Sequence, residues 1–168
     1  MSMKEIGLGK ALAMTCRAGR MTPGERKELA QKRLKELAAY AGQNSPYYGR
    51  LYKGLPEDWK LTDLPTVNKV DLMAHFDMWL TDRTVTEEAV NSFMEDRENI
   101  GRLMDGKYLI FTTSGSTGSP LVVLYDKTCM NISSALSVLR AYARKEDLSA
   151  FIKKGKRTAS IFAEGFYL

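Results

Sequence analysis

The feature that most constrains the fold of this chain is a loop rich in glycine and hydroxyl side chains, set between two short apolar segments. The segments 108–111 and 121–125 are rich in aromatic and β-branched residues, which favour strands. The loop between them, 112–120, reads Thr-Thr-Ser-Gly-Ser-Thr-Gly-Ser-Pro. The pattern therefore predicts a strand, a loop and a second strand.

The composition of this loop suits a polyphosphate ligand. Gly115 and Gly118 allow the backbone to approach a ligand closely and to adopt unusual angles. The serines and threonines offer hydroxyl donors, and successive backbone N–H groups can form a concavity that binds anions. The predicted phosphate-binding residues are Thr112, Thr113, Ser114, Gly115, Ser116, Thr117, Gly118 and Ser119.

Three other interpretations of the loop are weaker. A P-loop NTPase needs a lysine after its second conserved glycine and a helix starting there, whereas this loop lacks the lysine and leads into a predicted strand. A serine-hydrolase elbow needs Gly-x-Ser-x-Gly, a spacing that Gly115 and Gly118 do not provide. The third alternative is a flexible Gly/Ser turn of a hairpin that binds no ligand.

The region before the loop is predicted to be mainly helical. Thr22, Pro23 and Glu25 form a strong helix start with a capping box, and Gly42 is the predicted stop. The predicted apolar stripe of this helix is Ala30, Leu34, Leu37 and Ala41. Further helices are predicted after Ser45, from Asn68 to Phe76, from Thr86 to Glu95 and after Asp126.

The fold class predicted from these elements is α/β. Residues 1–100 are expected to form a helical amino-terminal region, and residues 101–168 to begin a mixed α/β sheet that carries the loop. A further strand is predicted over 158–162. His75, the one histidine, has no evident ligand or catalytic partners in the sequence, so we expect a structural role for it.

Charge and cysteine content narrow the functional class. The net charge is +5, but lysine and arginine are interleaved with acidic residues, which argues against nucleic acid as the main partner. Cys16 and Cys129 are far apart and suggest free thiols rather than a zinc site or a disulfide. No segment has the run of apolar residues that a membrane span needs. We therefore expect a cytoplasmic protein without a membrane partner.

The loop resembles the phosphate-binding motif of the adenylate-forming superfamily, which includes acyl-CoA synthetases, luciferases and peptide-synthetase adenylation domains. That motif is a Ser/Thr-rich SG(S/T)TG followed by a small residue and proline. The segments 45–54 (SPYYGRLYKG) and 64–73 (LPTVNKVDLM) are similar to the amino-terminal region of the phenylacetate-coenzyme A ligase branch. The resemblance covers about 45–168. Many members have a lysine after the proline, where this chain has Leu121.

The resemblance implies a two-step reaction. A carboxylate attacks the α-phosphate of ATP to give an acyl-adenylate and pyrophosphate, and a thiol, often coenzyme A, then takes the acyl group. Ser114, Gly115, Ser116, Thr117 and Gly118 match the motif and would hold the β- and γ-phosphates. The Mg²⁺ and adenine ligands of the family, and its catalytic lysine, belong to motifs that do not occur in this chain, so no catalytic residue is assigned.

We therefore expect an amino-terminal fragment of an AMP-forming ligase that acts on a small-molecule carboxylate and is inactive by itself. The acyl substrate cannot be read from the matched region. A non-catalytic module that keeps the loop to bind phosphate or another protein is the alternative. An incomplete sheet would expose strand edges, so we also expect self-association.

Overall fold

A computed structural model describes residues 5–113, 120–141 and 144–155 of the chain. Within these ranges the chain is mostly helical and contains one small sheet of two antiparallel strands. This mixture of helices and strands agrees with the predicted α/β class at that coarse level. The strand predicted over 158–162 lies outside the described residues.

The helices and strands follow one another along the chain as follows. The first five helices are α1 (Leu8–Arg20), α2 (Pro23–Asn44), α3 (Pro46–Leu51), α4 (Lys69–Ala74) and α5 (Phe76–Trp79). Then come α6 (Glu87–Glu95), the strands β1 (Leu109–Thr112) and β2 (Val122–Tyr125), and the helices α7 (Lys127–Ala141) and α8 (Lys145–Lys153). Single 3₁₀ turns occupy Leu61–Asp63 and Arg97–Asn99.

The start of α2 confirms the predicted capping box. The Thr22 hydroxyl accepts a hydrogen bond from the Glu25 backbone N–H at 3.3 Å, and the Thr22 N–H donates to the Glu25 carboxylate at 2.8 Å. The helix continues two residues beyond the predicted stop at Gly42. The predicted stripe is wrong at Leu37, which is 62% exposed, and at Ala30, which is also exposed, because the inward position is taken by the buried Ala38.

The other predicted helix starts are confirmed by their caps. The side chains of Ser45, Asn68, Thr86 and Asp126 each accept a hydrogen bond from a backbone N–H three residues later. The helix that begins at Asn68 is shorter than predicted. It ends at Ala74, and the chain reorients at His75 before the single turn of α5 begins.

Helix α1 was not predicted as a separate element, although it lies within the region 1–100 that was expected to be mainly helical. It packs along α7. The backbone just before α1 is tied to α7 by two hydrogen bonds: the Ile6 N–H donates to Thr128 Oγ1 at 3.0 Å, and Asn131 Nδ2 donates to the Ile6 carbonyl at 2.9 Å. The segment just before α1 is therefore held against the helix that follows β2.

One hydrophobic core joins the helices to the hairpin. Its buried members are Phe76, Leu80, Val85, Val90, Met104, Ile110 and Val122. They come from both sides of residue 100, the predicted boundary between the helical region and the α/β region. Burial of side chains of this size stabilises the fold by about 2 kcal/mol each. The hairpin is consequently fixed to the preceding helices by its inner face.

The register of the hairpin determines which residues form that inner face. Ile110 lies opposite Leu124, and Thr112 lies opposite Val122. Because strand side chains alternate between faces, the outer face carries Leu109, Phe111, Val123 and Tyr125. The rings of Phe111 and Tyr125 contact each other there, with centroids 4.8 Å apart. Both faces of the hairpin are thus apolar.

Candidate functional site

The two ends of the predicted phosphate loop are held together by the hairpin. The Thr113 N–H donates to the Leu121 carbonyl at 3.0 Å, and the Leu121 N–H donates to the Thr113 hydroxyl at 2.9 Å. Opposite residues of an antiparallel pair lie about 5 Å apart. Whatever path residues 114–120 take, they begin and end at this pair.

Of the eight predicted binding residues, the structure describes Thr112 and Thr113. Thr112 is half-buried on the inner face of the hairpin, and Thr113 is exposed at its tip. The Thr113 hydroxyl accepts the bond from Leu121, so its own O–H remains able to donate to a ligand. Six residues lie outside the described residues: Ser114, Gly115, Ser116, Thr117, Gly118 and Ser119.

The strand that follows the loop distinguishes between the enzyme classes that the sequence analysis considered. A P-loop and a nucleophile elbow both lead from a strand through the loop into a helix. Here the loop is followed by β2, which pairs antiparallel with β1. The first helix after the loop is α7, which starts only after β2 has ended. The geometry therefore fits neither of those two enzyme classes.

A second feature lies at the opposite end of the hairpin. A cavity of about 740 Å³ opens between α2, the α3 region and the start of β1, a size within the range of small-molecule sites. We call it the tyrosine cavity. Its aromatic lining consists of Tyr40, Tyr48, Tyr52, Trp79 and Tyr108. Burial raises the pKa of Tyr48 and of Tyr52, so both are neutral phenols at neutral pH.

The polar wall of the tyrosine cavity is a cluster around Asp82. Its carboxylate pairs with the Lys107 ammonium and accepts a hydrogen bond from the Tyr108 hydroxyl at 2.6 Å. Its other oxygen accepts bonds from the Thr84 N–H at 3.1 Å and the Thr84 hydroxyl at 2.7 Å. Both carboxylate oxygens accept hydrogen bonds, so the main role of Asp82 is to link the segment 82–84 to Lys107 and Tyr108.

The same contacts determine the charge states in this cluster. The hydrogen bonds from Lys107, Tyr108 and Thr84 hold the pKa of Asp82 well below its usual range. The bond to Asp82 raises the pKa of Lys107, and burial together with the bond to Asp82 raises the pKa of Tyr108. At neutral pH the cluster is a carboxylate, an ammonium and a neutral phenol.

A tight turn brings Lys107 and Tyr108 to Asp82. The Lys107 N–H donates to the Met104 carbonyl at 2.9 Å, and the two residues between them, Asp105 and Gly106, have φ values of 51° and 64°. Two positive φ angles are typical of a type I′ turn, for which Asp-Gly is a favoured sequence. The cluster was not predicted from the sequence. The Asp105-Gly106 pair indicates the turn that carries Lys107 and Tyr108, but nothing in the sequence indicates that they meet Asp82.

Trp79 contributes an unusual group beside the tyrosine cavity. Within the part of the chain that the structure describes, its buried indole N–H has no hydrogen-bond partner. The Trp79 ring packs edge-on against Phe76, with centroids 6.1 Å apart. The indole N–H is closed off from water, so it is part of the packed wall and does not present a donor to the cavity.

The histidine of the chain takes part in a third cluster. His75 Nδ1 lies 2.9 Å from the Asp71 carbonyl and 3.4 Å from the Asp71 carboxylate. The Tyr47 hydroxyl donates to that carboxylate, and this bond raises the pKa of Tyr47 to about 12. Tyr47 and Asp71 are thereby linked across α3 and α4. The His75 ring also packs against the Tyr47 ring, with centroids 5.7 Å apart, so His75 contacts both α4 and α3.

Two more findings bear on the class of site. Among the described residues, no group of three or more His, Cys, Asp or Glu side chains is placed to hold a metal ion. Across the same residues, no helix combines the length and the apolar character that spanning a bilayer requires.

The chain matches no protein family, no curated protein sequence and no solved structure.

Proposed function

We propose that residues 112–120 bind the phosphates of ATP, and that the chain forms the amino-terminal part of an AMP-forming ligase. In that reaction ATP activates a carboxylate as an acyl-adenylate, and coenzyme A is the proposed acceptor of the acyl group. The observation that supports this proposal most strongly is the pairing of Thr113 with Leu121, which closes a glycine- and hydroxyl-rich loop at one rung of a hairpin.

Closing the loop in this way reduces the entropy that binding must overcome. A free segment of this length loses about 1 to 2 kcal/mol per residue when its backbone is fixed. Here the ends are fixed before any ligand arrives, because β1 and β2 are anchored by Ile110 and Val122 in the core. Phosphate oxygens would then meet backbone N–H groups and hydroxyls of a segment whose two ends are already paired.

Thr113 has a defined role in this proposal. Its hydroxyl oxygen supports the hairpin by accepting the Leu121 N–H, and its O–H remains able to donate to a phosphate oxygen. Thr112, half-buried on the inner face of the hairpin, is a supporting candidate for phosphate contact. The tyrosine cavity is centred towards the other end of the hairpin, since Tyr108 and Thr113 are five residues apart along an extended segment, or about 17 Å, but its lining reaches Val123 on β2.

Calorimetry with Mg²⁺ and ATP on the full chain tests the proposal. We expect saturable binding that Gly115→Val and Gly118→Val each abolish, because a branched side chain would block the approach of the backbone to the phosphates. Gly19→Val is the matched control. A Cβ added at Gly19 meets nothing within 4 Å, so this variant should bind ATP like the parent chain.

A turnover assay tests whether this chain alone is inactive. Pyrophosphate release is measured with ATP and a panel of aryl and aliphatic carboxylates. We expect ATP binding without turnover by this chain alone. Absence of ATP binding by a well-folded monomer would favour the non-catalytic module, and robust turnover would contradict the expected inactivity.

A further inference from the structure

A second cavity lies against the amino-terminal half of α2. It occupies about 760 Å³ between one face of α2 and the segment 58–62, again within the range of small-molecule sites. Lys27, Gln31 and Leu34 fall on that face because residues three and four apart on a helix are neighbours. We call this space the Trp59 cavity. It shares Leu34 with the tyrosine cavity, and the other residues that line it differ from those of that cavity.

The walls of the Trp59 cavity are largely apolar. Ala30 and Leu34 line the helix side, and Trp59 lines the loop side. Leu61, which also lines the cavity, is 67% exposed. Apolar surface of this kind is costly to leave in water, at about 25 cal/mol per Å². A flat apolar ligand would cover it.

The charged residues around the cavity indicate whether a bound ligand would be an anion or a cation. Three lysines, Lys27, Lys35 and Lys60, line it, against one carboxylate, Asp58. In the described part of the chain, none of the three lysines forms an ion pair. The Lys35 ammonium lies over the Trp59 ring, 5.9 Å from its centroid, and adds positive charge beside the aromatic wall.

We propose that the Trp59 cavity binds a planar organic anion. The aromatic part of the ligand would stack on Trp59 and cover Leu61, and its negative charge would lie near Lys27 and Lys60. A neutral ligand of the same shape would bury the same apolar area without the charge contacts. This site is independent of the ATP loop, since its residues belong to α2 and the segment that follows α3.

The test uses naphthalene-2-sulfonate as the probe and its neutral sulfonamide as the matched compound, both titrated into the full chain and followed by amide NMR. We expect saturable shifts of the Trp59 indole N–H and of the Lys60 and Leu61 amides. The spectrum of Trp79→Phe identifies which of the two indole signals belongs to Trp59. The sulfonate should bind about fivefold more tightly than the sulfonamide, the gain expected from two partly exposed charge contacts.

Two sets of lysine variants test the role of charge. The double change Lys27→Gln with Lys60→Gln should remove the preference for the sulfonate and leave sulfonamide binding unchanged. The control, Lys10→Gln with Lys53→Gln, alters two exposed lysines outside the cavity and should keep the preference. Equal binding of the two compounds by the parent chain would overturn the proposal. So would shifts confined to the tyrosine cavity, or a preference that survives the first double change.

Discussion

The carboxylate of Asp82 and the ammonium of Lys107 form an ion pair between residues 25 positions apart in sequence. This pair joins the segment that follows α5 to the turn that leads into β1. The side chain of Asp82 is 22% exposed and that of Lys107 is 56% exposed, so the pair lies at the edge of the core rather than within it. Its position means that it fixes the hairpin to the helices at the end opposite the loop 112–120.

Removing the Asp82 carboxylate should weaken the fold. In Asp82→Asn the charge partner of Lys107 is lost and the bonds from Tyr108 and Thr84 become weaker. We expect the free energy of unfolding to fall by about 2 kcal/mol, a value reduced for the exposure of Lys107. Urea denaturation measures this loss. The control is Asp58→Asn, since Asp58 is exposed and its carboxylate makes no such contact among the described residues. An equal loss of stability in the two variants would contradict the role given to Asp82.

The same pair predicts how stability depends on pH. Because the pKa of Asp82 is lowered in the folded state, its contribution is present above the unfolded value of about 3.9 and is lost as pH falls through the folded pKa. The pKa of Lys107 is raised, so its contribution is lost only as pH rises above about 10.4. The stability difference between the parent chain and Asp82→Asn should therefore be constant near neutrality.

Denaturation curves recorded across the pH range check this expectation. The difference should shrink in acid below about pH 4 and again in strong alkali. A difference that grows in acid would mean that Asp82 is protonated in the folded protein.

The contact between α2 and α3 should depend on the absence of a side chain at Gly49. A Cβ added there would lie 2.8 Å from the Gly42 carbonyl oxygen, a backbone atom that cannot move without shifting α2. Gly49→Ala should therefore lower the midpoint of urea unfolding, with a loss of about 2 kcal/mol. Gly9→Ala in α1 is the control, since a Cβ at Gly9 meets nothing within 4 Å and should stabilise the helix by about 0.5 kcal/mol.

The bond between Tyr47 and Asp71 should be visible in a phenol titration. The Asp71 acceptor raises the pKa of Tyr47 to about 12, so the ultraviolet difference between the parent chain and Tyr47→Phe should show one phenol ionising near that pH. In Asp71→Asn the charge is gone, and the ionisation of Tyr47 should move back towards about 10. A Tyr47 that ionises at the ordinary value in the parent chain would rule out this bond in solution.

Local sequence patterns were sufficient to predict the helix starts and the hairpin. Thr22, Ser45, Asn68, Thr86 and Asp126 each cap a backbone N–H only three residues away. Such bonds depend on neighbours in sequence, so the residue types alone indicate them. The strands on either side of the loop were predictable for a similar reason, since both are short runs of residues that favour strands.

Long-range contacts were not predictable in the same way. Nothing in the local sequence of Asp82 indicates that it meets Lys107, because the meeting requires α5, α6 and the Asp-Gly turn to be in place. Leu37 was assigned to the buried stripe because periodicity does not say which part of a long helix is covered. The helical state of α1 depends on its packing against α7, more than 100 residues later.

The central claim is that the loop 112–120 binds the phosphates of ATP. The most direct measurement is a titration of the isotopically labelled chain with Mg²⁺ and ATP, followed at the backbone amides of Thr113 and Leu121, where the loop begins and ends. We predict saturable shifts at both amides, and their loss in Gly115→Val. A well-folded chain in which neither amide shifts at saturating ATP, or in which Gly115→Val leaves the shifts unchanged, would contradict the claim.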